Sequence, residues 1–99
     1  MSRFDCYEAA GGKGFLIDLQ SDFLESYSTR IVAPLIAEND FDGAAKGLNP
    51  VVTLDGERFV ILTHFMAAVP VSSLGKPKAR LSDHADEITR ALDLLFQGY

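Results

Sequence analysis

The feature that most restricts the fold of this chain is the pair Asp55-Gly56, which separates two strand-like runs. Residues 51–54 read Val-Val-Thr-Leu, and residues 57–64 continue with apolar and polar side chains in strand-like order. A two-residue type I′ turn requires positive φ at both central positions, and an Asp-Gly pair adopts such angles readily. The pair therefore predicts an antiparallel β-hairpin.

Further strands are predicted before this hairpin. Residues 3–8 and 15–19 are strand-like and flank a Gly-rich stretch at 9–14, which predicts a second hairpin. The stretch lacks the Gly-Lys-Ser/Thr ending and the following helix of a phosphate-binding loop, so a plain connection is favoured. Residues 31–37 are apolar but contain Pro34. Proline has no backbone N–H, so we expect an edge strand, or a strand broken at this residue.

The C-terminal part predicts a helix. Ser82 is a typical N-cap residue, and acids follow it in the early turns, where the helix dipole favours negative charge. Gly98 stands where a helix often ends. Apolar residues recur at helical spacing and form one stripe: Ala85, Ile88, Ala91, Leu92, Leu95 and Phe96. The sequence therefore predicts several antiparallel strands followed by one terminal helix, within a single domain spanning residues 1–99.

Composition limits the classes of function. The 99 residues carry a formal net charge of -5, and the nine basic residues form no run, so direct nucleic-acid binding is not expected. No stretch of about 18 apolar residues is present, and the first residues lack the apolar run of a signal peptide. We therefore expect a cytoplasmic protein without a membrane span. Cys6 is the only cysteine, so no intrachain disulfide can form, and it is interpreted as a small apolar residue of the first strand.

Candidate chemical groups are few. With one cysteine and two histidines, neither a zinc site nor a cofactor is expected, and no nucleophile motif appears. Asp18 and Asp22 are interpreted as binding backbone groups in the turn after the second strand. Arg30, Thr63 and His64 are kept as a candidate set for RNA cleavage, with the arginine stabilising phosphate charge and the histidine transferring a proton.

Four segments in order resemble the CcdB family, the toxins of plasmid-type toxin–antitoxin modules. They are Asp18-Leu19-Gln20-Ser21-Asp22, Arg30-Ile31-Val32-Ala33-Pro34-Leu35, Leu48-Asn49-Pro50-Val51-Val52, and Met66-Ala67-Ala68-Val69-Pro70-Val71 with Leu74-Gly75 beyond it. The chain then ends Leu94-Leu95-Phe96-Gln97-Gly98-Tyr99, where the family ends in Phe, Trp, Gly and an apolar residue. The resemblance covers nearly the whole chain.

The resemblance implies a mainly β fold: an SH3-like antiparallel barrel with a small extra sheet and a C-terminal helix. It implies a homodimer without catalytic activity or cofactor, which poisons DNA gyrase by binding the A subunit and trapping the cleaved DNA complex. It also implies a CcdA-like antitoxin, whose disordered segment folds on contact with the toxin.

The resemblance also implies two groups of site residues. Those carried over as gyrase contacts are Phe23, Leu24, Asp93, Phe96, Gln97, Gly98 and Tyr99. Those expected near the antitoxin contact are Gly11, Gly12, Lys13 and Gly14.

The chain departs from the family pattern at Gln97, where the family toxin carries Trp. Asp93 replaces an asparagine, and Tyr99 replaces an isoleucine. Losing an aromatic anchor typically costs about 2 kcal/mol, or about 30-fold in affinity. The hypothesis is a gyrase-directed toxin with weakened poisoning. The alternatives are a ribonuclease-type toxin on the same barrel, or a non-toxic homologue that binds the antitoxin; the fold alone does not decide between them.

Overall fold

The computed structural model describes residues 2–98 as an antiparallel sheet followed by a helix. The strands are β1 (Asp5–Glu8), β2 (Phe15–Asp18), β3 (Thr29–Ala37), β4 (Val51–Leu54), β5 (Glu57–Ile61), β6 (Ala67–Pro70) and β7 (Ala79–Arg80), and the helix is α1 (Ala85–Gln97). Short 3-10 turns lie at Asp22–Leu24, Glu38–Asp40, Thr63–Phe65, Val71–Ser73 and Ser82–His84. Within residues 2–98, no helix has the length and apolar character needed to cross a membrane.

The sheet order is β4-β5-β3-β2-β1-β7, and all observed pairings are antiparallel. The long strand β3 is the centre: β2 pairs with one of its edges, while β6 and β5 share the other. The sheet curls into a near-closed barrel, which confirms the expected antiparallel barrel with a C-terminal helix. The additional strand β6 branches from β3 rather than extending the main path.

The expectation for Pro34 is wrong, because β3 runs unbroken through it and is a central strand. β6 pairs with β3 as far as Val32, and β5 begins at Leu35. The Pro34 carbonyl accepts a hydrogen bond from the Leu62 N–H at 2.8 Å on this same edge. In a strand, N and O of one residue point to the same edge, so the missing N–H falls in the gap between the two partner strands.

Both predicted hairpins are confirmed, but the predicted extent of the strand over residues 57–64 is wrong, because β5 ends at Ile61 and a 3-10 turn follows at Thr63–Phe65. β4 and β5 pair with Leu54 opposite Glu57, and the connecting residues Asp55 and Gly56 have φ of 54° and 79°. These are the two positive angles that a type I′ turn demands. β1 and β2 likewise pair across the Gly-rich loop, with Cys6 opposite Ile17.

The terminal helix is confirmed, although its predicted start is wrong. Ser82 does not cap α1: it opens a 3-10 turn, and His84 precedes the helix without a side-chain cap. The predicted end is correct, because Gly98 has φ of 82° and its N–H donates to the Leu94 carbonyl at 3.0 Å. Glycine adopts this left-handed conformation at little cost, so the helix ends there.

The core lies between the sheet and α1. It joins buried residues of the strands to Ile88 of the helix. Cys6 is fully buried, and this burial, with a smaller contribution from the Asp5 charge, raises the pKa of its thiol to about 12. Cys6 is thus confirmed as a small buried residue, since at neutral pH it forms almost no thiolate.

Candidate partner-binding site

An open apolar groove of about 400 Å³ lies between the end of α1 and the segment that follows β2. We call it the tail groove. It is lined by Leu19, Gln20, Ser21, Leu24, Ile31, Met66, Leu92 and Phe96. Leu24 and Phe96, two of the residues carried over from the family, therefore meet on one surface although 72 positions separate them in the sequence.

The 3-10 turn Asp22–Leu24 forms one wall of the groove and is held by its neighbours. The Ser21 hydroxyl accepts a hydrogen bond from the Phe23 N–H at 3.2 Å. The buried Gln20 amide donates to the carbonyls of Leu24 and Thr29, both at 3.1 Å, and its oxygen accepts from the Ile31 N–H at 3.0 Å. Gln20 thus ties both ends of the loop to β3, and the turn is presented in a fixed position.

A buried ion pair next to Gln20 supports this loop. The Arg30 Nη2 lies 2.6 Å from the Asp18 Oδ2, and both side chains are fully buried. Arg30 also donates to the Gln20 carbonyl at 3.3 Å, and Asp18 accepts from the Gln20 N–H at 2.9 Å. Asp22 accepts from the Arg3 N–H at 2.8 Å. Both acids bind backbone groups, as interpreted from the sequence, while the ion pair itself was not predicted.

The helix end forms the opposite wall. Phe96 lines the groove yet is 70% exposed, so it does not belong to the core although it continues the apolar stripe of α1. Phe23, at the other wall, is 95% exposed. A free surface of this kind on large apolar side chains indicates a binding site for another molecule.

The other carried-over tail residues are also accessible. Asp93, Gln97 and Gly98 are exposed. Tyr99 lies outside the described residues.

Several lining residues of the groove were not predicted as site residues. Ile31 and Met66 come from β3 and from the segment before β6, and Leu19 follows β2. In the sequence they are simply apolar residues in or near strands, and core residues follow the same pattern. The curvature of the sheet brings them to the helix end, and nothing local in the sequence encodes that curvature.

The four residues expected at the antitoxin contact form the β1–β2 loop, and they divide into two kinds. Gly11, Gly12 and Lys13 are exposed. Gly14 is half-buried with φ of 75°, and a Cβ added there would collide with the Leu35 carbonyl oxygen, so the fold requires glycine at this position. This loop shares no lining residue with the tail groove.

The set considered for RNA cleavage does not form an active site. Arg30 is fully buried and paired with Asp18, and Thr63 is buried as well. Only His64 is exposed; its Nδ1 lies 3.2 Å from Asn49 Nδ2. A buried guanidinium cannot contact a phosphate on the surface, so this hypothesis is wrong for these residues. In the described part of the chain, no group of three or more His, Cys, Asp or Glu residues is arranged to hold a metal ion.

The fold and the groove together define a class: a small antiparallel β-barrel with a C-terminal helix and an open apolar groove at the end of that helix. Within that class, the family model described as CcdB protein matches residues 3–98. The chain belongs to the CcdB family, as the resemblance indicated. Membership implies a gyrase-poisoning toxin of toxin–antitoxin type, which acts without being an enzyme.

Proposed function

We propose that this chain is the toxin of a type II toxin–antitoxin module and binds the A subunit of DNA gyrase in the cytoplasm through the tail groove and its rim. One observation carries the proposal: Leu24 and Phe96, from opposite ends of the sequence, line a single open apolar groove, and Phe23 is exposed beside it. Three large apolar side chains therefore face solvent at this one place on the fold. Burying them against a partner supplies the driving force for association.

The activity is weaker than that of family members with a tryptophan in the tail. Gln97 is exposed beside Phe96 and offers no aromatic face for a cation of the partner. Asp93 adds a negative charge to the same helix end. Gln97→Trp should therefore strengthen gyrase binding by about 30-fold, measured by titration of the purified A subunit. Gln97→Leu is the matched control, since it adds apolar area without an aromatic ring; equal gains in both variants would contradict the anchor argument.

The chain acts as a homodimer and is neutralised by a CcdA-like antitoxin. A 99-residue chain builds a modest core, and an exposed aromatic residue outside the tail groove, Tyr27, gains from burial against a second copy. The exposed β1–β2 loop, Gly11 to Lys13, is the proposed point of antitoxin contact. Sedimentation of the purified chain tests the dimer, with a monomer at micromolar concentration as the contradicting result.

The deciding experiment is expression without antitoxin in cells that carry either wild-type or toxin-resistant gyrase. Growth arrest that only the resistant gyrase relieves supports the proposal. Arrest in both strains with degraded RNA would instead indicate a ribonuclease toxin. Normal growth together with antitoxin binding would indicate the non-toxic homologue.

A further inference from the structure

A second cavity, of about 480 Å³, lies beside the β1–β2 loop and differs in chemistry from the tail groove. Its floor is aromatic: the Phe15 and Phe59 rings meet edge to face, with centroids 5.3 Å apart and planes at 86°. Ile36 and Ala37, at the C-terminal end of β3, and Glu57, at the start of β5, complete its walls. We call it the loop cavity.

The rim of the loop cavity is acidic. Glu8, Asp40 and Glu57 line it and are exposed, against one lining cation, Lys13. Lys78 lies 3.7 Å from Glu8, but both side chains are more than half exposed, so this pair is weak. Within residues 2–98, Asp40 and Glu57 make no ion pair.

Arg58, which follows Glu57 in the sequence, does not neutralise this rim. Arg58 binds Glu38 with two hydrogen bonds, of 2.7 Å and 3.1 Å, which is the paired geometry of a guanidinium and a carboxylate. This pair lines an adjoining cavity of about 310 Å³ that shares Ala37 and Glu57 with the loop cavity. The Glu57 and Asp40 carboxylates therefore stay available to an external cation.

We propose that the loop cavity receives an arginine side chain from a cationic segment of the antitoxin, which rests on the antitoxin contact proposed above. A guanidinium is planar, so it can lie against the half-buried Phe15 ring, which packs on the buried Phe59, while its N–H groups reach carboxylates on several sides. A metal ion does not fit, because these acids form no ligand cluster in the described chain. The negative charge of the rim requires a positively charged partner segment, and the aromatic floor favours arginine over lysine.

The test uses the full-length chain and a full-length CcdA-like antitoxin, with binding measured by titration calorimetry. Asp40→Asn combined with Glu57→Gln removes two rim charges and should weaken binding about tenfold, or about 1.4 kcal/mol. The control, Asp83→Asn with Asp86→Asn, removes the same charge from exposed positions in the turn before α1 and in its first turn, and should leave the affinity within about twofold. Binding by the control should also keep the salt dependence that the rim variant loses.

A charge exchange identifies the partner residue. Glu57→Lys should abolish the contact, and replacing one antitoxin arginine with glutamate should restore it. Antitoxin binding that is unaffected by the rim variant overturns the loop-cavity inference and leaves the antitoxin proposal intact. Absence of any antitoxin binding to the wild-type chain overturns both. The rim variant should still arrest growth through gyrase, because the two cavities share no residue.

Discussion

Truncating Phe96 to alanine should separate binding from stability. A fully buried phenylalanine contributes about 1.5–3 kcal/mol to folding. Phe96 is 70% exposed, so less than a third of its surface is already buried. The Phe96→Ala variant should therefore lower the free energy of unfolding by under about 1 kcal/mol. In the wild-type chain, gyrase would cover the Phe96 side chain, so the same change should weaken binding by about 2 kcal/mol, or about 30-fold.

Urea denaturation measures the first quantity, and titration of the gyrase A subunit measures the second. Phe65→Ala is the matched control, because Phe65 is 57% exposed and does not line the tail groove. It should alter binding by less than about threefold, since residues outside the centre of an interface contribute little. Equal losses of affinity in both variants, or loss of folding in Phe96→Ala, would refute the assignment of the groove.

Three further predictions concern the fold that supports the site. In urea denaturation, Asp18→Asn should cost about 3–5 kcal/mol because it leaves Arg30 buried without its carboxylate, while adding Arg30→Met should recover part of the loss; additive losses would contradict this. Gly14→Ala should destabilise the chain by more than Gly12→Ala, whose added Cβ meets open space, and equal midpoints would refute the collision at Gly14. The pKa of the Cys6 thiol is about 9.0 in the unfolded chain and about 12 in the folded chain. Its contribution to the free energy of unfolding is therefore complete below pH 9.0 and is lost above it, by up to about 1.4 kcal/mol per pH unit. The free energy of unfolding of Cys6→Ala should fall less steeply with alkaline pH, and an equally steep fall would contradict this.

Local sequence chemistry predicted the elements whose cause is local. Asp55-Gly56 sets its turn by the angles those residues accept, and Gly98 ends the helix for the same reason. The prediction for Pro34 was wrong because the hydrogen bond lost at a proline depends on which edge of the strand its nitrogen faces. That edge is interrupted between β6 and β5, a fact of long-range pairing.

The candidate site was predicted only in part. Phe96 and Leu24 came from the family resemblance, and the structure places them on one groove. Gln20, which fixes the turn beside Leu24, lies in a segment that resembles the family but was not predicted as a site residue. Its three hydrogen bonds reach residues four to eleven positions away, so a reading of neighbouring residues does not reveal them. Arg30 was assigned to chemistry on its residue type, whereas its full burial with Asp18 makes it a support of the same loop.

The most direct measurement mixes the purified chain with DNA gyrase, ATP and supercoiled plasmid, then removes protein with detergent and protease. Gyrase poisoning through the tail groove predicts linear plasmid, formed when gyrase is trapped on cleaved DNA, with less of it for Phe96→Ala and more for Gln97→Trp. Plasmid that stays uncut at all concentrations of the wild-type and Gln97→Trp chains would contradict gyrase poisoning through the tail groove.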